Sequence, residues 1–274
     1  MHNLDANVIR DLANAPFRER LASVRVFSEI DSTNSYLMQV PGPAPGKISL
    51  AVTGNQTAGR GRHGKVWQSP PGSGLCLSAA YTFASQPENL PALTLALGLG
   101  VADALSELGA DGVELKWPND LVGLDSKLGG ILTEVQQQSA TAVTVVTGVG
   151  INVDLPEELD FGVETDWARQ VVDLRKICGE LPARDAIATT VATHLMQAFV
   201  DYEAVGFEPF AERWSKVDWL LGRDITIDTV EEQFSGIGAG IADDGALLID
   251  TPEKGVRRIR SGTIVIAGAR TSRP

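Results

Sequence analysis

The texture of the chain changes once, near Leu220, and that change limits the architectures open to it. Before it, apolar runs that read as strands alternate with helical patterns. The strands fall at Arg25–Ile30, Ile48–Thr53, Leu75–Phe83, Val113–Trp117, Gly130–Gln136 and Thr141–Val153. Helices are predicted over 4–22 with an interruption at Pro16, over 91–108, over 183–206 and near 208–215. In the second of these, Leu93, Leu97, Val101 and Leu105 share a face, the mark of a helix packed on a core. Asp31-Ser32-Thr33-Asn34 opens a further short helix, which PGPAPG at 41–46 stops. From Arg223 onward only short β-like runs remain, DITIDTV, GAGIA, ALLID and TIVIA, separated by turn residues such as DDG and PEKG. That pattern predicts a small all-β module. The expected division is 1–220 and 221–274, and 274 residues suit one large domain plus a small one.

Charge narrows the function. The net charge is −12, so general nucleic-acid binding, which rests on neutralising phosphates, is disfavoured. Cys76 and Cys178 form no CxxC pair and no His-rich cluster, which argues against zinc and for buried thiols in a reducing cytosol. MHNLDANVIRDL lacks the basic-then-apolar pattern of a signal peptide. The longest apolar run, near Leu93–Ala102, falls short of the roughly 20 residues that cross a bilayer. A cytoplasmic protein with no membrane partner is expected.

The stretch GRGRHGKVW, Gly59–Trp67, is the most unusual local feature. Its first seven residues fit a P-loop, but Val66 stands where that motif needs a hydroxyl. Pro70 and Pro71 follow, so no helix can start there to meet a phosphate. An arginine-glycine RNA-binding tract would be longer and disordered. A plain surface loop accounts for the glycines but not for two arginines close to a tryptophan. What remains is a loop that folds over an anionic ligand. Glycines let backbone N–H groups approach, Arg60 and Arg62 offer planar charged donors, and Trp67 offers an apolar face.

Other constellations are individually bland. Ser32 or Thr33 could simply cap a helix. Gln56 alone means nothing. Lys116-Trp117-Pro118-Asn119-Asp120 and Lys127-Leu128-Gly129-Gly130-Ile131-Leu132 each put a lysine beside a strand, and a lone lysine is commonly a solvated surface group.

Taken in order, STN, QTAGRGRHGKVW, KWPND, KLGGIL and GVGINV (Gly148–Val153) resemble the biotin protein ligases over residues 27 to 155. The resemblance implies an α/β (α+β) catalytic domain on a mixed sheet, followed by a small SH3-like barrel. It implies an ATP-dependent ligase with biotin, ATP and Mg2+ as small-molecule partners. Biotin carboxylate would attack the α-phosphate to give biotinyl-5′-AMP and pyrophosphate. The lysine of a biotin carboxyl carrier domain, of the acetyl-CoA carboxylase type, would then take the biotin. By the same resemblance Ser32, Thr33, Asn34, Gln56, Gly59, Arg60, Gly61, Arg62 and Lys127 belong to the biotin site. Arg62, Lys65, Trp67, Asn119, Asp120 and Asn152 belong to the nucleotide site. Lys127, Arg62 and Asp120 carry catalysis, and Asp120 is the metal candidate.

The chain departs from the family in places. Lys65 and Val66 vary from a more basic form of the loop. Thr165-Asp166-Trp167 stands where many members carry Thr-Ser-Leu, so no adenine contacts are assigned. Ser261-Gly262-Thr263-Ile264 replaces a more acidic turn, so no catalytic role is expected of the β module. About 25 residues precede the first core strand, fewer than the roughly 60 of a winged helix-turn-helix, so DNA binding is not expected. A lipoate-type ligase and a non-catalytic sensor of biotin or adenylate stay open.

Overall fold

Alternation along the central strands decides the layering. The computed structural model describes residues 4–68, 70–138, 142–157, 170–229 and 231–266. A seven-stranded sheet has the order β1-β2-β3-β7-β6-β5-β4. Its strands are β1 (Leu21–Phe27), β2 (Ile48–Thr53), β3 (Gly74–Phe83), β4 (Glu114–Lys116), β5 (Asp120–Gly123), β6 (Ser126–Gln138) and β7 (Val143–Asn152). β1 and β2 are parallel and the other neighbours antiparallel, so the sheet is mixed.

On β3, Leu75, Leu77, Ala79, Tyr81 and Phe83 enter the main core. Successive side chains leave a strand on opposite faces, so Cys76, Ser78, Ala80 and Thr82 meet the other side. β7 repeats the rule, with Val143, Val145, Val149 and Ile151 in the main core and Val146 in a second cluster with Leu37, Ala51 and Ala80. Two long helices, α4 (Leu93–Glu107) and α6 (Arg184–Val205), cover the first face. The short α3 (Thr33–Gln39) lies on the second. The apolar run that carries α4 extends over 18 residues, Leu90–Glu107, and 67% of it is buried; it is the core helix of the first layer.

The N-terminal helical region is two helices. Asn14 caps α2 (Ala15–Arg20), and Pro16 sits in its first turn, where the missing N–H costs nothing. α1 (Ala6–Leu12) precedes it. Three elements went unread in the sequence: β5, α5 (Leu174–Cys178) and β11 (Gly255–Ile259). Each is five residues or fewer, and β11 carries Arg257 and Arg258, so none has a full apolar period to detect.

After α7 (Glu208–Trp214) comes an antiparallel five-stranded sheet in the order β11-β10-β9-β8-β12. Its other strands are β8 (Asp224–Asp228), β9 (Gln233–Ile241), β10 (Leu247–Thr251) and β12 (Thr263–Ile266). Ile225, Ile227, Leu247 and Ile249 belong to the same buried cluster as the first sheet. β4 and the residue after it hold the segment that leads into the second sheet and the turn between β9 and β10. Leu115 N–H donates to Val217 O at 2.7 Å, Trp219 N–H donates to Leu115 O at 3.0 Å, and Trp117 Nε1 donates to Gly245 O at 3.0 Å.

Candidate functional site

The sheet face that α3 only partly covers holds a cavity of about 820 Å³. Strand ends and one hairpin build it. Ser32, Thr33, Asn34, Gln56, Arg60, Gly61, Arg62, Lys65, Trp67, Asn119, Asp120, Lys127 and Asn152 all line it. Of the residues expected at the site, Gly59 alone is outside this lining; its carbonyl accepts from Trp67 N–H at 3.0 Å.

One end of the cavity is neutral. Ser32 is the N-cap of α3, its Oγ accepting from Ser35 N–H at 3.3 Å. The capping role therefore coexists with a place in the wall. Thr33 donates to Gln56 Oε1 twice, from its backbone N–H at 2.8 Å and from its hydroxyl at 3.0 Å. With that carbonyl engaged, the Gln56 amide offers donors. Ser78, fully buried on β3, sits 2.7 Å from both Thr33 Oγ1 and Asn34 Oδ1. Two hydroxyl protons thus serve three short contacts. The cluster holds more acceptors than protons, which suits a ligand that brings N–H donors.

Asn34 is spent on the protein. Its Nδ2 donates to Leu132 O at 3.2 Å and to Glu134 Oε2 at 3.0 Å. Gly148 on β7 makes this possible, since a Cβ there would stand 2.4 Å from Asn34 Oδ1. Two residues on, a Cβ at Gly150 would stand 2.5 Å from the Trp67 indole. The paired glycines of GVG, one strand period apart on one face, seat one side chain of each end.

The other end is cationic. Lys127 Nζ lies 2.7 Å from Asp120 Oδ1, and Lys116 Nζ lies 4.0 Å from Asp120 Oδ2. Lys116 is buried, and burial brings its pKa down to about 8, with Asp120 opposing the shift and Lys127 and Lys65 adding to it. Arg62 Nη1 donates to Asn119 Oδ1 at 3.4 Å, and Asn119 Nδ2 donates to Ile131 O at 2.8 Å. Burial also lowers the Arg62 pKa, against the pull of Asp120. Asn152 is engaged by backbone, donating to Lys127 O at 3.2 Å and Val172 O at 3.1 Å. It fixes the lysine strand from behind.

The Gly-Arg stretch is a hairpin. Trp67 N–H donates to Gly59 O, Gly61 N–H donates to Lys65 O at 2.7 Å, and Arg60 pairs with Val66. The turn passes through His63 and Gly64, both at positive φ. Trp67 lies under this hairpin, with Lys127 Nζ 5.9 Å from its ring. Its indole N–H is buried and faces the thiol of Cys76, whose pKa burial pushes up to about 12 against the pull of the indole; among the described residues no closer acceptor meets it. No α-helix starts in this stretch, which holds only a three-residue 3-10 turn at Arg62–Gly64, so the long helix that a P-loop places behind its phosphate does not follow it.

Sequence reasoning did not single out Ser78 or Cys76, which only the alternation of β3 brings inward, nor give Lys116 a role. Thr263 and Ile264 of β12 reach the cavity too. Thr165-Asp166-Trp167 lies outside the described residues. No group of three potential metal ligands occurs among the described residues, and Asp120 is the one carboxylate among the described lining residues.

Comparison with known proteins follows the same lines. The family described as "Biotin/lipoate A/B protein ligase family" matches residues 26–152. The "Bifunctional ligase/repressor BirA" of Salmonella typhimurium is 36% identical over 228 residues, 83% of this chain and 69% of that one. The "Biotin--[acetyl-CoA-carboxylase] ligase" of Mycobacterium tuberculosis is 31% identical over 207 residues, 73% of each chain. Among solved structures, the biotin protein ligase from Aquifex aeolicus in complex with biotin and ATP superposes with a TM-score of 0.74. It is 28% identical, and the match covers 89% of this chain and 97% of that one.

Proposed function

The chain belongs to the biotin/lipoate A/B protein ligase family, and we propose that it is an ATP-dependent biotin protein ligase. It activates biotin to biotinyl-5′-AMP with release of pyrophosphate, then transfers biotin to a lysine of a carboxylase's biotin carrier. The observation that carries this reading is the two-ended cavity. A neutral, acceptor-rich pocket and a cluster of cations share one space under one hairpin.

The chemistry divides between the ends. A cyclic urea has two N–H donors and one carbonyl, and buried polar groups must be paired. Thr33, Ser78 and Ser32 supply the acceptors and the Gln56 amide supplies donors. The carboxylate tail then runs toward Lys127 and Arg62. Attack of that carboxylate on the α-phosphate gathers negative charge, and fixed cations lower its energy. Lys127 and Arg62 are assigned to the carboxylate and the α-phosphate, Lys65 and Trp67 to the adenylate side, and Asn119 to holding Arg62.

In the second step the carrier's amine attacks the acyl carbon and AMP leaves with the bonding electrons. The amine must first lose a proton. Asp120 is assigned to that proton once Lys127 turns from it to the substrate anion. Mg2+ enters with ATP as substrate. A single wall carboxylate fits the way this ion is held largely by phosphates and water, and Asp120 is its protein-side candidate. The division into 1–220 and 221–274 belongs to the same proposal, the second unit lending Thr263 and Ile264 to the rim.

The test is pyrophosphate release on mixing the chain with Mg-ATP and biotin, with lipoate and octanoate in parallel. A stoichiometric burst with biotin alone is expected. A burst with lipoate or octanoate instead would reassign the substrate, and biotin binding without pyrophosphate would leave a sensor.

A further inference from the structure

Glu134 lies on β6 behind the cavity wall and is not among the residues that line it. No step of the ligase chemistry uses it. Yet its carboxylate is shared by two groups that matter. It pairs with the guanidinium of Arg60, on the hairpin, and it accepts from Asn34 Nδ2 at 3.0 Å. Asn34 is 4% exposed and continues inward to Ser78, from Ser78 to Thr33, and from Thr33 to Gln56. One unbroken chain of polar contacts therefore runs from the hairpin, beneath the neutral pocket, to the amide at its far side. Gln56 ends the chain where it began, because a Cβ at Gly59, the hairpin's first residue, would stand 2.9 Å from Gln56 Nε2.

We infer that Glu134 is a positioning residue that locks the hairpin down over the neutral pocket and makes that lock sensitive to what the pocket holds. The inference rests on the biotin-ligase reading and adds to it how the same site retains its intermediate. Three arguments support it. An ionised acceptor gives stronger hydrogen bonds than a neutral one, so the carboxylate is the strongest joint in the chain. The carboxylate is the more sheltered partner, with 27% of the Glu134 side chain exposed against 42% of Arg60, so its charge is held on the wall side while the guanidinium stays within reach of salt. Arg60 gains its order through Glu134, which leaves Arg62 as the hairpin arginine beside Asn119 in the cationic end. A ligand that donates to Thr33 or Ser78 realigns the hydroxyls along the chain, and Asn34 passes the change to the carboxylate that holds the hairpin.

The test uses the full chain with Glu134→Gln, Arg60→Gln and the double variant. Glutamine keeps the size of Glu134 and an acceptor for Asn34 but loses the charge that holds Arg60. Stopped-flow dissociation of biotinyl-5′-AMP is read beside the adenylation rate at saturating biotin and ATP. Glu134→Gln is expected to speed dissociation about tenfold and raise KM for biotin, with saturated adenylation within about twofold of the parent. The double variant is expected to show clearly less than the sum of the two singles, since both remove the Glu134–Arg60 contact, while Arg60, which also lines the cavity, keeps any further share of its own. Dissociation unchanged in Glu134→Gln, or effects that add fully in the double variant, would overturn the inference and leave the ligase reading intact. A parent chain that retains no biotinyl-adenylate would overturn the ligase reading, and this inference with it.

Discussion

The two ends of the cavity are built on opposite principles. The neutral end is internally paired: Thr33, Asn34, Ser78 and Gln56 hydrogen-bond one another at 2.7–3.0 Å. The cationic end is internally unbalanced. Arg62, Lys65, Lys116 and Lys127 face the cavity together with the single carboxylate of Asp120, among the described lining residues. In a chain of net charge −12, that local excess is bought only where anions are to be held. The difference teaches how one space can select and react. The neutral end fixes a ring by shape and a preset hydrogen-bond pattern. The cationic end keeps its charges at cost, lowering the pKa of Lys116 and Arg62 by burial, so that an incoming polyanion restores the balance.

Lys127→Ala strikes the cationic end hardest. Adenylation is expected to fall about a hundredfold, near 3 kcal/mol of transition-state stabilisation, with biotin affinity changed far less. Single-turnover pyrophosphate release checks it, and near-normal turnover would remove Lys127 from that role. Gly148→Ala strikes the neutral end alone. The added methyl would stand 2.4 Å from Asn34 Oδ1 and force the hydrogen-bonded floor apart. A rise of about thirtyfold in the Kd for biotin is expected by calorimetry, with little change in KM for ATP. Equal losses for both ligands would erase the distinction between the ends.

Arg62→Ala tests retention of the intermediate beside the part Arg62 takes in adenylation. The dissociation rate of biotinyl-5′-AMP is expected to rise about tenfold, and an unchanged rate would assign retention elsewhere.

The smallest effect is in the pH dependence. Burial lowers the Lys116 pKa to about 8, below the ordinary lysine value of about 10.4. Its charge is therefore present below pH 8 and lost above it. KM for ATP is expected to rise severalfold between about pH 7 and 9, while KM for biotin stays flat; Lys116→Arg should flatten the ATP profile. The same shift has a stability sign. The folded state binds fewer protons than the unfolded chain between about pH 8 and 10.4, so this group's contribution to stability rises with pH across that window.

The legible and illegible parts of the site differ in kind. The capping pattern of Ser32, the β2 run at Ile48–Thr53 and the apolar face of α4 are local, and each appears where the sequence places it. The Gly-Arg stretch reads as a loop that folds over an anionic ligand, and its form is a hairpin, because Trp67 anchors its return strand against Gly150, a contact that no local pattern encodes. Asn34 and Asn152 read as ligand groups; both line the cavity, and their amides also hold its wall together. Ser78 carries no motif signal, since a serine in a strand is commonplace, and Lys116 stands in KWPND without a role that the motif alone assigns. Only the strand order brings them to the cavity.

The sequence by itself determined the longer elements and their faces. Period-two alternation on β3 and β7 placed apolar side chains on one side and small or polar ones on the other, and side-chain geometry along a strand leaves no choice in that. The ordered motifs determined the family. The tertiary structure alone decided which distant residues share a charge. Glu134 meets Arg60 across 74 positions of chain and Asn34 across 100. Those meetings depend on β6 lying next to β7 and on α3 lying over that face. Register and layer packing set such distances, and they arise from the whole buried core rather than from any segment of it.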